Sequence, residues 1–248
     1  MTNQTISSRQ TPIFERALDR TNGSSFFTMA AVAGALQLLC VLGYIPVMSL
    51  GPKPETAQAY FQIFQTGWLA GLLRGDMLST ILVALYLGIA PGLFLALRGV
   101  HPGAAFMAAM LTVIAAINCI TTDSALSLFY LSKQYAAAAD PGRQVQLLAA
   151  GEAIIAGDMW HSTASFLMGI FLQGSGVIFS ILMLRGSQFS KATALFGLAA
   201  NGLDLLQHLL HIAFPEVSAA ILTVAGVLYL PWFPLLVRDF LRLRAGAR

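Results

Sequence analysis

The stretch MLSTILVALYLGIAPGLFLAL, from Met77 to Leu97, carries no charged side chain. A helix needs about 20 consecutive apolar residues to cross the hydrocarbon core of a bilayer. A segment that is apolar on every face has nothing to offer water, so this stretch places the chain in lipid. Working outward from it, five more stretches of comparable length and character can be drawn, at 26–50, 103–122, 159–184, 192–213 and 217–236. Hydrophobic residues make up 57% of the chain and charged residues 10%, with a mean hydropathy of +0.73. Soluble domains carry about a quarter charged residues, so a soluble fold is excluded. Inside lipid the backbone must satisfy its own hydrogen bonds, which makes the spans helices. The short alternating segments of a membrane barrel are absent from the sequence. The expected fold is all-α: a polytopic membrane helix bundle with about six transmembrane helices. The first apolar stretch is far longer than the ~7–15 residues of a signal-peptide core and lacks a small-residue cleavage site, so it reads as a span. Cys40 and Cys119 both fall within spans, without a Cys-x-x-Cys pattern, and read as reduced buried thiols.

Charge gives the orientation. Cytoplasmic loops collect Lys and Arg. With the N-terminus inside, Arg9, Arg16, Arg20, Arg98, Arg185, Lys191, Arg238, Arg242, Arg244 and Arg248 lie on the inner side. Only Lys53, Arg74, Lys133 and Arg143 lie on the outer side. Both termini are therefore expected in the cytoplasm. The net charge of +3 follows from this asymmetry, and the basic C-terminal run reads as a membrane-surface anchor; no nucleic-acid partner is expected. Residues 1–25 form a polar cytoplasmic tail or a short surface helix, 26–243 the transmembrane domain, and 244–248 a basic tail. The outer connections are 51–76 and 123–158. The first contains a run at 57–73, with Trp68, that reads as an interfacial helix. The second breaks at Asp140-Pro141-Gly142, a turn signal, between helical stretches at 124–139 and 144–156. A weak repeat runs through the chain. Gly75-Asp76-Met77 and Gly157-Asp158-Met159 open two spans, Leu97-Arg98-Gly99 and Leu184-Arg185-Gly186 close them, and Asn118 and Asn201 mark the spans that follow. Such a pattern fits a duplicated two-helix unit in parallel orientation.

Polar groups within lipid are costly and therefore informative. Asp204, His208 and His211 stand at i, i+4 and i+7 on one helical stripe. Asp158 and His161 stand at i, i+3. Together with Asp76, Asn118 and Asp123, these groups fall within about two helical turns of the outer face, with Asp204 below them. One reading is a metal site for zinc or iron, with His161, His208, His211 and Asp158 as ligands and Asp204 or Asp158 orienting a ring nitrogen. A metal-activated water would then make a membrane-embedded hydrolase, with Asp204 and His208 as its catalytic groups. A variant is haem b held between His161 and a fifth-span histidine, with room left by Gly197, Ala199, Ala200 and Gly202. The plainer readings are helix N-caps for Asp76 and Asp158, and an Asp204–His208 hydrogen bond that is structural or one step of a proton relay. Gln37 and Gln173 read as interhelical hydrogen-bonding groups, and Gly88-x-x-x-Gly92 as a site of close helix approach with Pro91 a kink. Pro231 and Pro234 read as distorting the last span; Tyr135 and Trp160 suit an outer aromatic belt. There is no phosphate-binding loop, dinucleotide fingerprint or nucleophile elbow.

The Leu72-Leu73-Arg74-Gly75-Asp76 segment, the 146–160 stretch and the last span with Trp232 followed by basic residues resemble the bacterial DUF4386 membrane-protein family. Asp158 and Trp160 carry the likeness before the fourth span, although this chain has Gly157-Asp158-Met159-Trp160 where the family often carries an Arg-Asp-Trp-like sequence. The resemblance implies a six-span protein of the bacterial inner membrane and implies no activity. It adds nothing to the histidines. Three functions stand at this point: a binding or structural bundle, alone, as a homo-oligomer or as a subunit of a membrane complex; a metal-dependent enzyme; and a small-solute or proton-coupled transporter.

Overall fold

A computed structural model describes residues 13–49, 51, 53–158 and 161–246, with side chains from Gly23 onward except Met48. Among the described residues every regular element is a helix: α1 (Ile13–Ser49), α2 (Ala57–Thr66), α3 (Trp68–Arg74), α4 (Met77–Leu97), α5 (Pro102–Thr122), α6 (Ala125–Ala137), α7 (Pro141–Ala156), α8 (Thr163–Arg185), α9 (Lys191–Leu210) and α10 (Pro215–Gly246). Five segments are long and apolar enough to cross a membrane: 23–47 of α1, α4, α5 running on into α6, α8 and α10. The expected fifth span, α9, is not among them, because Asn201, Asp204, Gln207 and His208 lower its hydropathy. The helix α1 begins well before the expected boundary at residue 26, so 13–25 is helical; the first twelve residues of the tail and the last two of the basic tail lie outside the described residues.

Six long helices pack in a closed ring, α1 on α4, α4 on α5, α5 on α8, α8 on α9, α9 on α10 and α10 back on α1. Neighbours run antiparallel. Phe27 near the start of α1 stacks on Phe240 near the end of α10, with ring centroids 6.4 Å apart. The start of α1 and the end of α10 therefore share one side of the bundle. The α1–α4 seam is closed by small residues, as the Gly88-x-x-x-Gly92 spacing implied. A Cβ on Gly88 would stand 2.9 Å from the Ala33 Cβ, and one on Gly92 2.7 Å from the Ala30 Cβ. Gln37 donates to the Leu82 carbonyl across the same seam at 3.0 Å. Pro91, Pro231 and Pro234 are carried inside continuous helices. Leucine, isoleucine and valine side chains such as Leu39, Ile117, Leu195 and Val227 stay exposed around the outside of the ring. Such a surface is what a bilayer solvates and water does not.

On the side opposite the start of α1 and the end of α10, α2, α3, α6 and α7 form a cap. Its core is Ala57, Tyr60, Phe61, Phe64, Leu128 and Ile155. The run expected as one interfacial helix at 57–73 is broken at Gly67, whose backbone is extended. The apolar face of α2 is buried against α6 and α7 rather than laid on lipid, while Trp68 and Leu69 of α3 remain exposed. Glu152 of α7 accepts the Ala57 N–H at 2.8 Å and so ties the start of α2 to α7. The chain breaks between α6 and α7 at 138–140, and the expected turn at Asp140-Pro141-Gly142 is instead the start of α7, with Pro141 as its first residue. Asp140 caps α7 by accepting the Arg143 N–H at 2.9 Å. Burial pushes the Tyr60 phenol above its ordinary range, and the carboxylates of Asp76, Asp158 and Asp123 push it the same way. Tyr135 packs inside the cap on Phe61 at 5.3 Å instead of joining an aromatic belt; Trp160, the other belt residue, lies outside the described residues.

Candidate functional site

The ring holds polar groups at three depths, each where helices meet. At the end that holds the start of α1 and the end of α10, Ser190 caps α9 by accepting the Thr193 N–H at 3.1 Å. Asp239 of α10 reaches across to the same point. It accepts the Ser190 N–H at 2.8 Å and the Thr193 hydroxyl, and pairs with Arg238 at 3.1 Å and Arg242 at 3.5 Å. This fully buried carboxylate pins the start of α9 to α10. The sequence reading passed over it; the signal was an aspartate one residue after Arg238 and three before Arg242.

About two-thirds of the way along α9 lies a second cluster. Asp204 is 6% exposed and points into the bundle. Its Oδ1 accepts from Gln207 Nε2 at 3.0 Å, and Gln207 Oε1 accepts from Ser218 of α10 at 2.9 Å. Its Oδ2 stands 3.0 Å from the Tyr229 hydroxyl of α10. The same hydroxyl lies 2.9 Å from Gln173 Oε1 of α8 and 3.3 Å from Asn201 Oδ1. Asn201 is fixed in turn by donating to the Gly197 carbonyl at 2.8 Å. Nδ1 of His208 sits 2.9 Å from the Asp204 main-chain oxygen and 3.4 Å from Oδ1, with the Gln207 side-chain amide also on it. The ring of His208 fills the space a side chain at Gly169 of α8 would need. Gln173 is thus an interhelical hydrogen-bonding group, as its sequence position implied. Tyr229, Gln207 and Ser218 went unnoticed in the sequence. Each was a single polar residue in an apolar run, and nothing local showed that they point at Asp204.

Below the cap, Lys53 Nζ lies 2.5 Å from Asp76 and 3.6 Å from Asp158. Asp158 also meets His161 Nδ1 at 2.8 Å. The capping reading of both aspartates is corrected here. Asp76 occupies the N-cap position of α4 with φ +71° and makes no side-chain cap bond. The cap of α8 is Ser162, which accepts the Ser165 N–H at 3.2 Å. Left-handed backbone at Asp76 turns its carboxylate off the α4 amides, and the Lys53 charge beside it competes well for it. The two aspartates of the weak Gly-Asp-Met repeat thus converge on one lysine; Met159 lies outside the described residues. Asp123 accepts the Ala125 N–H at 2.8 Å and the Thr80 hydroxyl. Asn118 serves through its carbonyl, which accepts from Thr122 at 2.7 Å.

The residues nominated as metal ligands divide. Asp158 and His161 form one pair at the cap boundary, and the His161 side chain is 58% exposed. Asp204 and His208 form another inside the ring. His208 packs on Gly169, six residues into α8, about 9 Å of helix rise from its start. His211 is exposed beyond the end of α9 at Leu210. Among the described residues no group of three or more His, Cys, Asp or Glu is placed to hold a metal ion. The stripe Asp204–His208–His211 fails as a ligand set because only its first two members lie within α9 and face the seam. Of the small residues read as leaving room for haem, Gly197 is filled, since Trp232 Nε1 and Ser180 Oγ stand 2.5 Å and 2.7 Å from where a Cβ would be, whereas nothing stands within 4 Å of one at Gly202. No family model, curated protein or solved structure matches the chain.

Proposed function

We propose that the chain is a six-span protein of the bacterial inner membrane, with both termini cytoplasmic and the α2–α3–α6–α7 cap outside. Its work is that of a binding bundle, with Asp204 and its neighbours as the polar core. The observation that carries this is the two-sidedness of α9. Asn201, Asp204 and Gln207 are buried between α8 and α10, while Leu195, Leu206 and Leu209 of the same helix are exposed. A helix in water is arranged the other way round. A helix in lipid that keeps its polar groups among its neighbours has this pattern. The metal-dependent hydrolase draws no support from the divided histidines and is not carried forward.

Labelling with a membrane-impermeant maleimide tests the sixth crossing. Ser187→Cys and Phe214→Cys flank α9, in a background with Cys40 and Cys119 replaced by Ala. Intact spheroplasts are expected to label at 214 and to label at 187 only after permeabilisation. Labelling of both from one side would remove the proposal.

A further inference from the structure

Asp239 holds two guanidinium groups without using them up. The carboxylate is buried, and its Oδ2 is taken by the Ser190 N–H and the Thr193 hydroxyl. Its Oδ1 accepts from Arg238 Nη2 at 3.1 Å and Arg242 Nη1 at 3.5 Å. Arg238 Nη2 also donates to Ser190 Oγ at 2.9 Å. The two arginine side chains are nevertheless 50% and 70% exposed. Nη1 of Arg238 and Nε and Nη2 of Arg242 have no hydrogen-bond partner among the described residues. One carboxylate thus positions two cations and neutralises one. Lys191, next in the chain to Ser190, is exposed as well. Guanidinium donors held in a fixed orientation match the paired oxygens of a phosphate. We infer that Arg238 and Arg242, positioned by Asp239, clamp the phosphate of an anionic phospholipid headgroup.

Depth and direction point to lipid as the source of that phosphate. Counted from Pro215 at the start of α10, a crossing of about 20 residues ends near Leu235. Arg238 and Arg242 then stand at headgroup level. Arg238, Leu241, Arg242 and Ala245 are spaced i, i+3, i+4 and i+7 on one face of α10, and all four are exposed. Leu241 offers acyl chains an apolar neighbour between the two arginines. The balance of charge selects an anionic head. From Gly23 onward this end of the bundle carries Arg98, Arg185, Lys191, Arg238, Arg242 and Arg244 against the one carboxylate of Asp239. A zwitterionic headgroup would bring its own ammonium to that cationic surface. An anionic one gains from each lysine or arginine near it.

This rests on the proposed placement of the bundle in a bilayer, which the labelling experiment decides separately, because lipid binding is read in detergent. Native mass spectrometry of the full chain in an uncharged detergent, with equal amounts of dioleoylphosphatidylglycerol and dioleoylphosphatidylcholine, gives the lipid retained. Wild type is expected to prefer phosphatidylglycerol, with inorganic phosphate unable to displace it. Arg242→Gln is expected to weaken the preference about fivefold, the worth of one cation near an anionic headgroup surface. R238Q together with R242Q is expected to weaken it further, and Arg143→Gln in the cap to leave it unchanged. Asp239→Asn separates a clamp from loose charge. It makes this end more positive, so a diffuse patch would hold phosphatidylglycerol more tightly, whereas arginines that have lost their anchor hold it less tightly. Equal retention of the two lipids would overturn the proposal. So would displacement by inorganic phosphate, a preference that survives loss of both arginines, or a D239N variant that binds as tightly as wild type or tighter. Should the double variant fail to fold, R242Q and D239N against wild type decide the matter.

Discussion

At the level of single residues, the informative groups are carboxylates, and each has a different partner. Asp239 gathers a main-chain N–H, a hydroxyl and two arginines at the start of α9. Its replacement by Ala strands the Ser190 N–H and the Thr193 hydroxyl in the seam. Hydrogen bonds to a charged group contribute about 1.5–3 kcal/mol, and a loss of that order is expected in thermal unfolding in detergent, with Asp239→Asn closer to wild type. Tyr60 gives a pH signature. A phenol whose pKa is raised by folding favours the native state below its unfolded value of about 10, and that advantage disappears as pH climbs past it. Proteolysis of the cap is therefore expected to accelerate above about pH 10 in wild type and not in Tyr60→Phe. Asp204 was legible in the sequence as a costly group in an apolar run. Its partner Tyr229 was not, because it comes from another helix and its spacing carries no mark. Asp76 misled for a related reason. A Gly-Asp before a helix has the composition of a cap, and only the left-handed backbone and the presence of Lys53 show that the carboxylate points elsewhere.

Among the helices, apolar length was the strong signal and its failures have plain causes. The segments Met77–Leu97 and Pro102–Thr122 match the reading of uninterrupted apolar runs almost residue for residue. The cap did not follow from pattern alone. The 57–73 run has an apolar face that fits lipid or protein equally, and it took α6 and α7 to show which face is covered. Glycines separate packing from mere smallness. At Gly92 an added methyl meets Ala30 and the Phe240 ring, whereas at Gly202 it meets nothing within 4 Å. Gly92→Ala is expected to destabilise by about 1–3 kcal/mol through overpacking. Gly202→Ala is expected to be neutral or to stabilise by up to about 1 kcal/mol, through helix propensity. Melting temperatures of the two variants in the same detergent check the contrast; equal losses would mean the α1–α4 seam is not the close contact described.

On the scale of the molecule, α9 is poor in hydropathy yet packs in the closed ring between α8 and α10. Asn201, Asp204 and Gln207 are buried against α8 and α10, while Leu195, Leu206 and Leu209 join the exposed apolar surface. Hydropathy averages over a helix and is blind to faces, whereas burial separates them. The central claim is that α9 lies in the bilayer with its polar side turned into the bundle. Spin labels placed singly along α9 test it most directly. Sites 195, 206 and 209 are expected to be open to dissolved oxygen and closed to a water-soluble paramagnetic quencher, with 201, 204 and 207 shielded from both. Access of the aqueous quencher to 195, 206 and 209 would contradict the account.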